Sequence, residues 1–330
     1  LEGSVRRAGA RVRISAQLVE TTSGKPIWAD RFDRDLTDIF AVQDEVTLEI
    51  VTALKVSLSA DEKAGISSTG TTNIEAHENY MRLRGYLFFP GMDASLWKRA
   101  ISYGDLALEL DPGYADAYGM LSIMHVMDFH NHWSGTSPVE VLKKAEGLAH
   151  RAVELDPEGI TSNHAVAVVA RWKGDYDLAA SAIEITLAKS PDYALGIFTR
   201  GEILQGMGRL HEAVRDIEQA IRLDPGFTHQ YLQFLGICQF LLGNYGTAVD
   251  LFRERLVHVK NTDIGRAWLA SALGHQGEIA EAKKIWSDLL EINPDFCART
   301  RIGRLAFSDP AHTDRVFEGL EKAELIAGRP

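Results

Sequence analysis

Two periodicities divide the chain. In RVRISAQLVE, Val12, Ile14, Ala16 and Leu18 alternate with Arg11, Arg13, Ser15 and Gln17, the two-residue repeat of a strand with one face buried. LEGSVRR and PIWADRF flank it, set off by AGA and TTSGK, so three antiparallel strands are predicted. From Thr37 the spacing changes: Ile39, Val42, Val46, Ile50 and Leu54 fall along one stripe, and a helix of about 20 residues is expected from it. These elements make a first sub-domain over residues 1–58. The stretch SADEKAGISSTGTTNIEA, rich in Ser, Thr and Gly, reads as a linker over 59–74.

Beyond the linker one phrase keeps returning: LALELDPGY at 106–114, RAVELDPEG at 151–159, AIRLDPGF at 220–227 and LEINPDF at 290–296. The punctuating prolines Pro112, Pro157, Pro191, Pro225 and Pro294 stand at intervals of 45, 34, 34 and 69. The pattern is a period of 34 with an insertion of 11 in the second unit and Lys260 where one proline is skipped. Within a period the small residues have physical reasons. Gly201 stands where two helices approach, Gly208 where the first helix stops, Ala213 and Ala220 on the packing face of the second, and Pro225 past its end. A missing side chain permits close approach or a left-handed cap, and proline prevents continuation. The frame recurs with Gly174 and Ala179, with Gly236, Gly243 and Ala248, and with Gly277, Ala282 and Pro294. Earlier, Ala100 and Ala107 precede Pro112, and Ala145 and Ala152 precede Pro157.

Residues 75–327 therefore resemble the tetratricopeptide repeat family, in which each repeat of 34 residues is a pair of antiparallel helices. The expected fold is mainly α, a right-handed superhelical solenoid of six helix pairs preceded by a small antiparallel β-sheet and helix. A last pair, roughly 295–307 and 310–327, is expected to cap the stack, with Val316, Leu320 and Ala323 on its dry face. The resemblance implies a concave groove lined by the first helices.

Composition narrows the function. With 45% apolar and 25% charged residues in 330, the chain has the material of a folded core and not of a disordered tail. Its net charge of -11 would repel a phosphate backbone, which argues against nucleic acid. Cys238 and Cys297 form no metal-type or redox spacing, which fits a reducing compartment. No apolar run long enough to cross a membrane and no charged-then-apolar leader occurs, so cytoplasmic placement is expected. The chain opens at Leu1 inside a strand-like segment and reads as a piece of something longer.

A second resemblance covers residues 1–57. LEGSVRRAG followed by VRISAQLVETTSGKPIWADRFDRDLTDIFAVQDEVT is similar to the latter half of the domain resembling the amino-terminal domain of TolB. In bacterial signalling proteins that domain often precedes tetratricopeptide repeats, with a class III adenylate or guanylate cyclase domain or a DNA-binding domain further upstream. The family's first strand and helix are missing here. An apolar face and a strand edge are therefore expected to be left for another copy or for the solenoid to cover.

Candidate chemistry is sparse. P-loop, GxSxG, HExxH and paired CxxC patterns are all lacking from the sequence, so no catalytic residue and no cofactor are assigned, and any reaction centre is expected upstream. MHVMDFHNHW at 124–133 carries His125, Asp128, His130 and His132 on the insertion, the one cluster with weak potential as metal ligands. Padding of a neighbouring repeat explains it as well. Carrying the family's concave positions onto this chain gives His164, Arg171 and Trp172 in the third repeat and Phe198, Glu202 and Gln205 in the fourth. The fifth supplies Gln230, Gln233, Phe240 and Leu241, and the sixth Ser271 and His275. That lining is aromatic and amide-rich with little cationic charge. It fits an extended peptide or a partner helix better than a clamp for a C-terminal carboxylate, although Trp172, Phe240 and Leu241 serve equally as packing between repeats. A protein-interaction scaffold is the favoured reading. An oligomerisation module pairing upstream domains and a ligand or metal sensor at 124–133 stay open beside it.

Overall fold

The computed structural model describes residues 1–9, 11–35, 39–54, 70–305 and 307–327; most of the expected linker, 59–69, lies outside them. The contacts divide the chain into two units, one of residues 1–78 with 109–113 and one of 79–108 with 114–330.

In the first unit, β1 (Glu2–Ala8), β2 (Arg11–Val19) and β3 (Pro26–Asp35) form an antiparallel sheet in that order. Val5 pairs with Ile14 and Ile14 with Phe32. The alternation has the expected outcome: Val12, Ala16, Leu18 and Phe32 are buried, together with Val42 of α1 (Ile39–Ala53), which packs on β3. The α1 stripe is less deeply buried than its spacing implies, since Leu54 is half exposed. On the sheet's other face Asp33 accepts from both Arg11 and Arg13 at 2.8 and 2.6 Å. Every residue of β1 is exposed.

Helices follow in pairs. They are α2 (Ile74–Leu87) with α3 (Ala94–Leu110), α4 (Ala115–Asn131) with α5 (Pro138–Leu155), and α6 (Ile160–Lys173) with α7 (Tyr176–Lys189). Then come α8 (Ala194–Gly206) with α9 (Leu210–Leu223), α10 (Thr228–Leu241) with α11 (Tyr245–His258), and α12 (Asp263–Gln276) with α13 (Ile279–Ile292). The insertion of 11 lengthens α4 and α5 to 17 and 18 residues where α6 and α7 have 14.

Local chemistry explains the helix ends. Gly174 takes a left-handed φ of 79° and donates to Arg171 O while Asp175 N reaches Ala170 O, a terminator that costs a residue with a Cβ about 1 kcal/mol or more. Asp175 then caps α7 by accepting from Leu178 N at 3.1 Å. Inside each pair, buried Leu210, Ala213, Ile217 and Ala220 make one stripe of α9. A Cβ on Gly236 of α10 would stand 2.6 Å from Phe252 of α11, which is why that helix carries glycine at its crossing.

The C-terminus departs from the expected cap. Its first helix is a single short segment, α14 (Ala298–Ile302), and α15 (Pro310–Lys322) packs on α12 with Val316, Leu320 and the following Ala323 fully buried. Gly274 and Gly319 bring the two backbones so close that a Cβ on Gly274 would collide with the Gly319 carbonyl and one on Gly319 with the Ser271 carbonyl. The segment after α13 thus folds back onto first helices: Ser308 N donates to Gly206 O at 2.8 Å, and Arg301 Nη1 to His130 O at 2.6 Å.

Candidate functional site

Enclosed by that fold-back is a cavity of about 420 Å³. Its walls come from α4, α6, α8, α10 and α12, the first helices of successive pairs, and from Arg301, Leu305 and Phe307. Half-exposed Phe89 and Ile292 belong to its lining and mark where it meets solvent.

The repeat frame places His164, Arg171, Trp172, Phe198, Glu202, Gln205, Gln230 and Gln233 along this cavity. His164 is held from both ring nitrogens, Nε2 against Thr199 Oγ1 at 2.8 Å and Nδ1 against Tyr193 Oη at 3.2 Å. Burial lowers its pKa to about 4, so the ring is neutral. Gln205 donates to Phe234 O at 2.9 Å and to Cys238 Sγ at 3.0 Å, in surroundings whose burial pushes that thiol up to about 12. Burial also raises Glu202 to about 7, against the opposing pull of Arg171. Phe198 packs its ring on Tyr231 and Phe234, and the Arg171 guanidinium lies 3.9 Å from the centre of the Trp172 ring.

Phe240, Leu241, Ser271 and His275 are spent inside the chain, which corrects their expected place on an open groove. Phe240 is fully buried against Trp268, Tyr245 and His275. Leu241 O accepts from Arg315 Nη1, Ser271 Oγ donates to Val316 O at 2.8 Å, and His275 Nε2 meets Arg315 O at 2.8 Å. At Ser271, Gly274 and His275 α12 is covered by α15.

The 124–133 cluster does not converge. Among the described residues no three His, Cys, Asp or Glu side chains gather as metal ligands. His125 packs on Trp97 and His130 on Trp172, while Asp128 Oδ1 caps the turn by accepting from Ser134 N at 2.8 Å. His132 takes the left-handed position that ends α4. His125 and His130 are pushed down to about 4 and about 3, chiefly by burial.

A second correction concerns charge. Arg255 of α11 and Arg301 of α14 join Arg171 in the cavity, so its wall is cationic in a chain of net charge -11. The frame reads only first helices and cannot reach these two. A signal for Arg255 was present: Ala248, Phe252, Arg255 and Val259 follow helical spacing, and all four are buried, so an arginine stands in the apolar phase. Arg301 is matched, pairing with Asp263 at 3.1 Å. Arg171 and Arg255 are not: Nε and Nη1 of each are buried without a partner, as are both amide atoms of Gln233.

Comparison with known proteins bears on the helices. A tetratricopeptide repeat family model matches residues 198–257. Over 182 residues the chain is 41% identical to the Rhizobium meliloti protein named "Putative adenylate cyclase 3", a match covering 55% of this chain and 30% of that protein. It is 27% identical over 158 residues to human "Tetratricopeptide repeat protein 13", covering 46% of this chain and 18% of that one. The chain thus spans less than a third of the length of the relatives it matches. The crystal structure of the APC/C hetero-tetramer Cut9-Hcn1 contains a chain similar in fold, with a TM-score of 0.51 at 14% identity over 86% of this chain and 54% of that one. Family model and fold together support a tetratricopeptide-repeat protein whose helices form a solenoid of that type.

Proposed function

We propose that this chain is a non-catalytic protein-interaction scaffold, the C-terminal regulatory region of a bacterial multidomain signalling protein of the class III cyclase kind. The tetratricopeptide fold is generally that of a scaffold for protein partners, and the observation that carries the reading is the cavity walled by consecutive first helices. The relative named as a cyclase supports the signalling context, as does the resemblance of residues 1–57 to a TolB amino-terminal-like domain. In this reading the chain is cytoplasmic and recognises a peptide segment of its partner at the cavity, with catalysis left to another domain. Among the described residues no helix is long and apolar enough to cross a membrane.

The test is a photo-crosslinking side chain at half-buried Gln230 in living cells, followed by reconstitution of the captured polypeptide in purified form. Gln230→Trp, which fills the mouth without emptying the core, should weaken its binding about tenfold or more. Unchanged affinity for that variant rejects the cavity as the recognition site. A second reading, self-association through the sheet, is favoured by the exposed β1 with Val5 at 68% exposure. Val5→Lys should abolish a dimer in sedimentation velocity, and a wild-type chain that sediments as a monomer at all concentrations ends that reading.

A further inference from the structure

We propose that the inner wall of this cavity is a carboxylate-binding site, in which Arg171 and Arg255 hold the anion and Gln233 reads the group beside it. The proposal rests on the cavity being the recognition site and names the chemistry it recognises.

Three observations carry it. Arg171, Arg255 and Gln233 are 2%, 7% and 5% exposed and all line the one cavity. Two nitrogens of each guanidinium, and both ends of the Gln233 amide, have no hydrogen-bond partner. Among the described residues no carboxylate lies within ion-pair distance of either arginine, although Arg301 in the same wall has Asp263 and Arg200 nearby in sequence has Asp216 at 2.7 Å. Burying a charge without a paired counter-charge is strongly unfavourable, and folded proteins satisfy nearly all buried polar groups. Where Arg301 in the same wall is paired and Arg171 and Arg255 are left facing one cavity, a ligand anion is the natural complement.

The remaining groups define the body of that ligand. The Trp268 indole N–H is a further buried donor without a partner, so among the unpartnered buried atoms of this wall, which Glu202 and Asp263 also line, donors outnumber acceptors, as an anion requires. The unpartnered acceptor is Gln233 Oε1, which suits an N–H next to the carboxylate. Around them stand Trp172, Phe198 and Phe234, aromatic faces for an apolar body, and the volume of about 420 Å³ is that of a site for a small molecule or one anchoring side chain. The ligand class is therefore an apolar or aromatic group carrying a carboxylate. It can come from the terminal residue of a peptide or from a free aromatic acid.

Calorimetry and thermal shift on the whole chain test this with phenylacetate, its neutral isostere phenylacetamide, the acetylated dipeptide N-acetyl-Leu-Phe, and the C-terminal amide of that dipeptide. Both acids should bind and raise Tm, both amides should fail, and Arg171→Gln and Arg255→Gln should each weaken acid binding about tenfold or more. Tighter binding of the dipeptide acid than of phenylacetate assigns the source to a peptide terminus, and the reverse to a free acid. Arg255→Met supplies a control for folding: removing an uncompensated buried charge should leave the unliganded Tm unchanged or higher. A lowered Tm for that variant, acids that bind no better than amides, or binding that survives both arginine substitutions overturns the proposal. The scaffold reading is separable, because a crosslinked partner that loses affinity for Gln230→Trp yet binds Arg255→Gln normally leaves the scaffold standing and removes only the carboxylate site.

Discussion

Arginine does different work in the two units. On the sheet, Arg11 and Arg13 are exposed and share Asp33, which they hold at about 2, well below the usual carboxylate range. In the helical unit, Arg171 and Arg255 are buried and face a cavity in which neither has a carboxylate within ion-pair distance, although Glu202 and Asp263 stand elsewhere in its wall, and burial lowers both, Arg255 to about 10. The exposed triad is matched and contributes little, because water already satisfied its charges. The buried pair is unmatched and costly. Cost without local compensation is a better pointer to a binding role than the number of ion pairs.

Four measurements break or sharpen this contrast. The largest effect is expected from acid. His125, His130 and His164 are held at about 4, 3 and 4 in the folded chain, against about 6.5 unfolded. The unfolded state therefore takes up the protons first, and stability present above pH 6.5 is lost as pH falls toward 4. Summed over three rings the loss is roughly 5–10 kcal/mol, comparable with the stability of a domain, so denaturant midpoints should collapse across that window. A midpoint flat from pH 7 to 4 would contradict the buried, neutral assignment.

Trp268→Ala comes next. Its side chain is fully buried at the cavity wall, and truncation should cost about 3–5 kcal/mol in urea unfolding, while Trp28→Ala, at a half-buried position of the mostly exposed β3, should cost far less. Glu202→Gln follows. With the folded carboxyl raised to about 7, the wild type loses stability as pH rises from the unfolded value through 7, and the glutamine variant does not. The variant's advantage should therefore grow by about 3 kcal/mol at most between pH 4.5 and 8, and an advantage that does not change with pH would refute the shift. The smallest effect belongs to Asp33→Asn, which should leave Tm nearly unchanged and make it less sensitive to salt. If Asp33→Asn proved the costlier change, the contrast between matched and unmatched arginines would fail.

Much of the architecture was legible because it repeats. A two-residue alternation needs only one buried face to become a sheet, and Val12, Ala16 and Leu18 supply it. Glycines at Gly174, Gly208, Gly243 and Gly277 all take the left-handed conformation that ends a first helix, so the period of 34 had a backbone cause. What stayed hidden depends on contacts across long stretches of sequence. Nothing within one repeat says that α15 will lie on α12, so Ser271 and His275 looked free and are bonded. Arg255 was readable as a charge in an apolar phase, but its lack of a partner is a property of the assembled cavity. The histidine cluster misled because spacing brings side chains near each other without aiming them together: His125 and His130 turn to different tryptophans.

The bond from Arg301 to the carbonyl of His130 links positions 171 residues apart. An array coupled only between neighbours frays from its ends, each unit peeling independently of those far away. Here the tail is tied to an early helix, so the polymer behaves as a ring with a clasp. Trimming the chain before residue 301 should loosen the second helix pair as well as the last, and melting that began as one concerted event should spread into several.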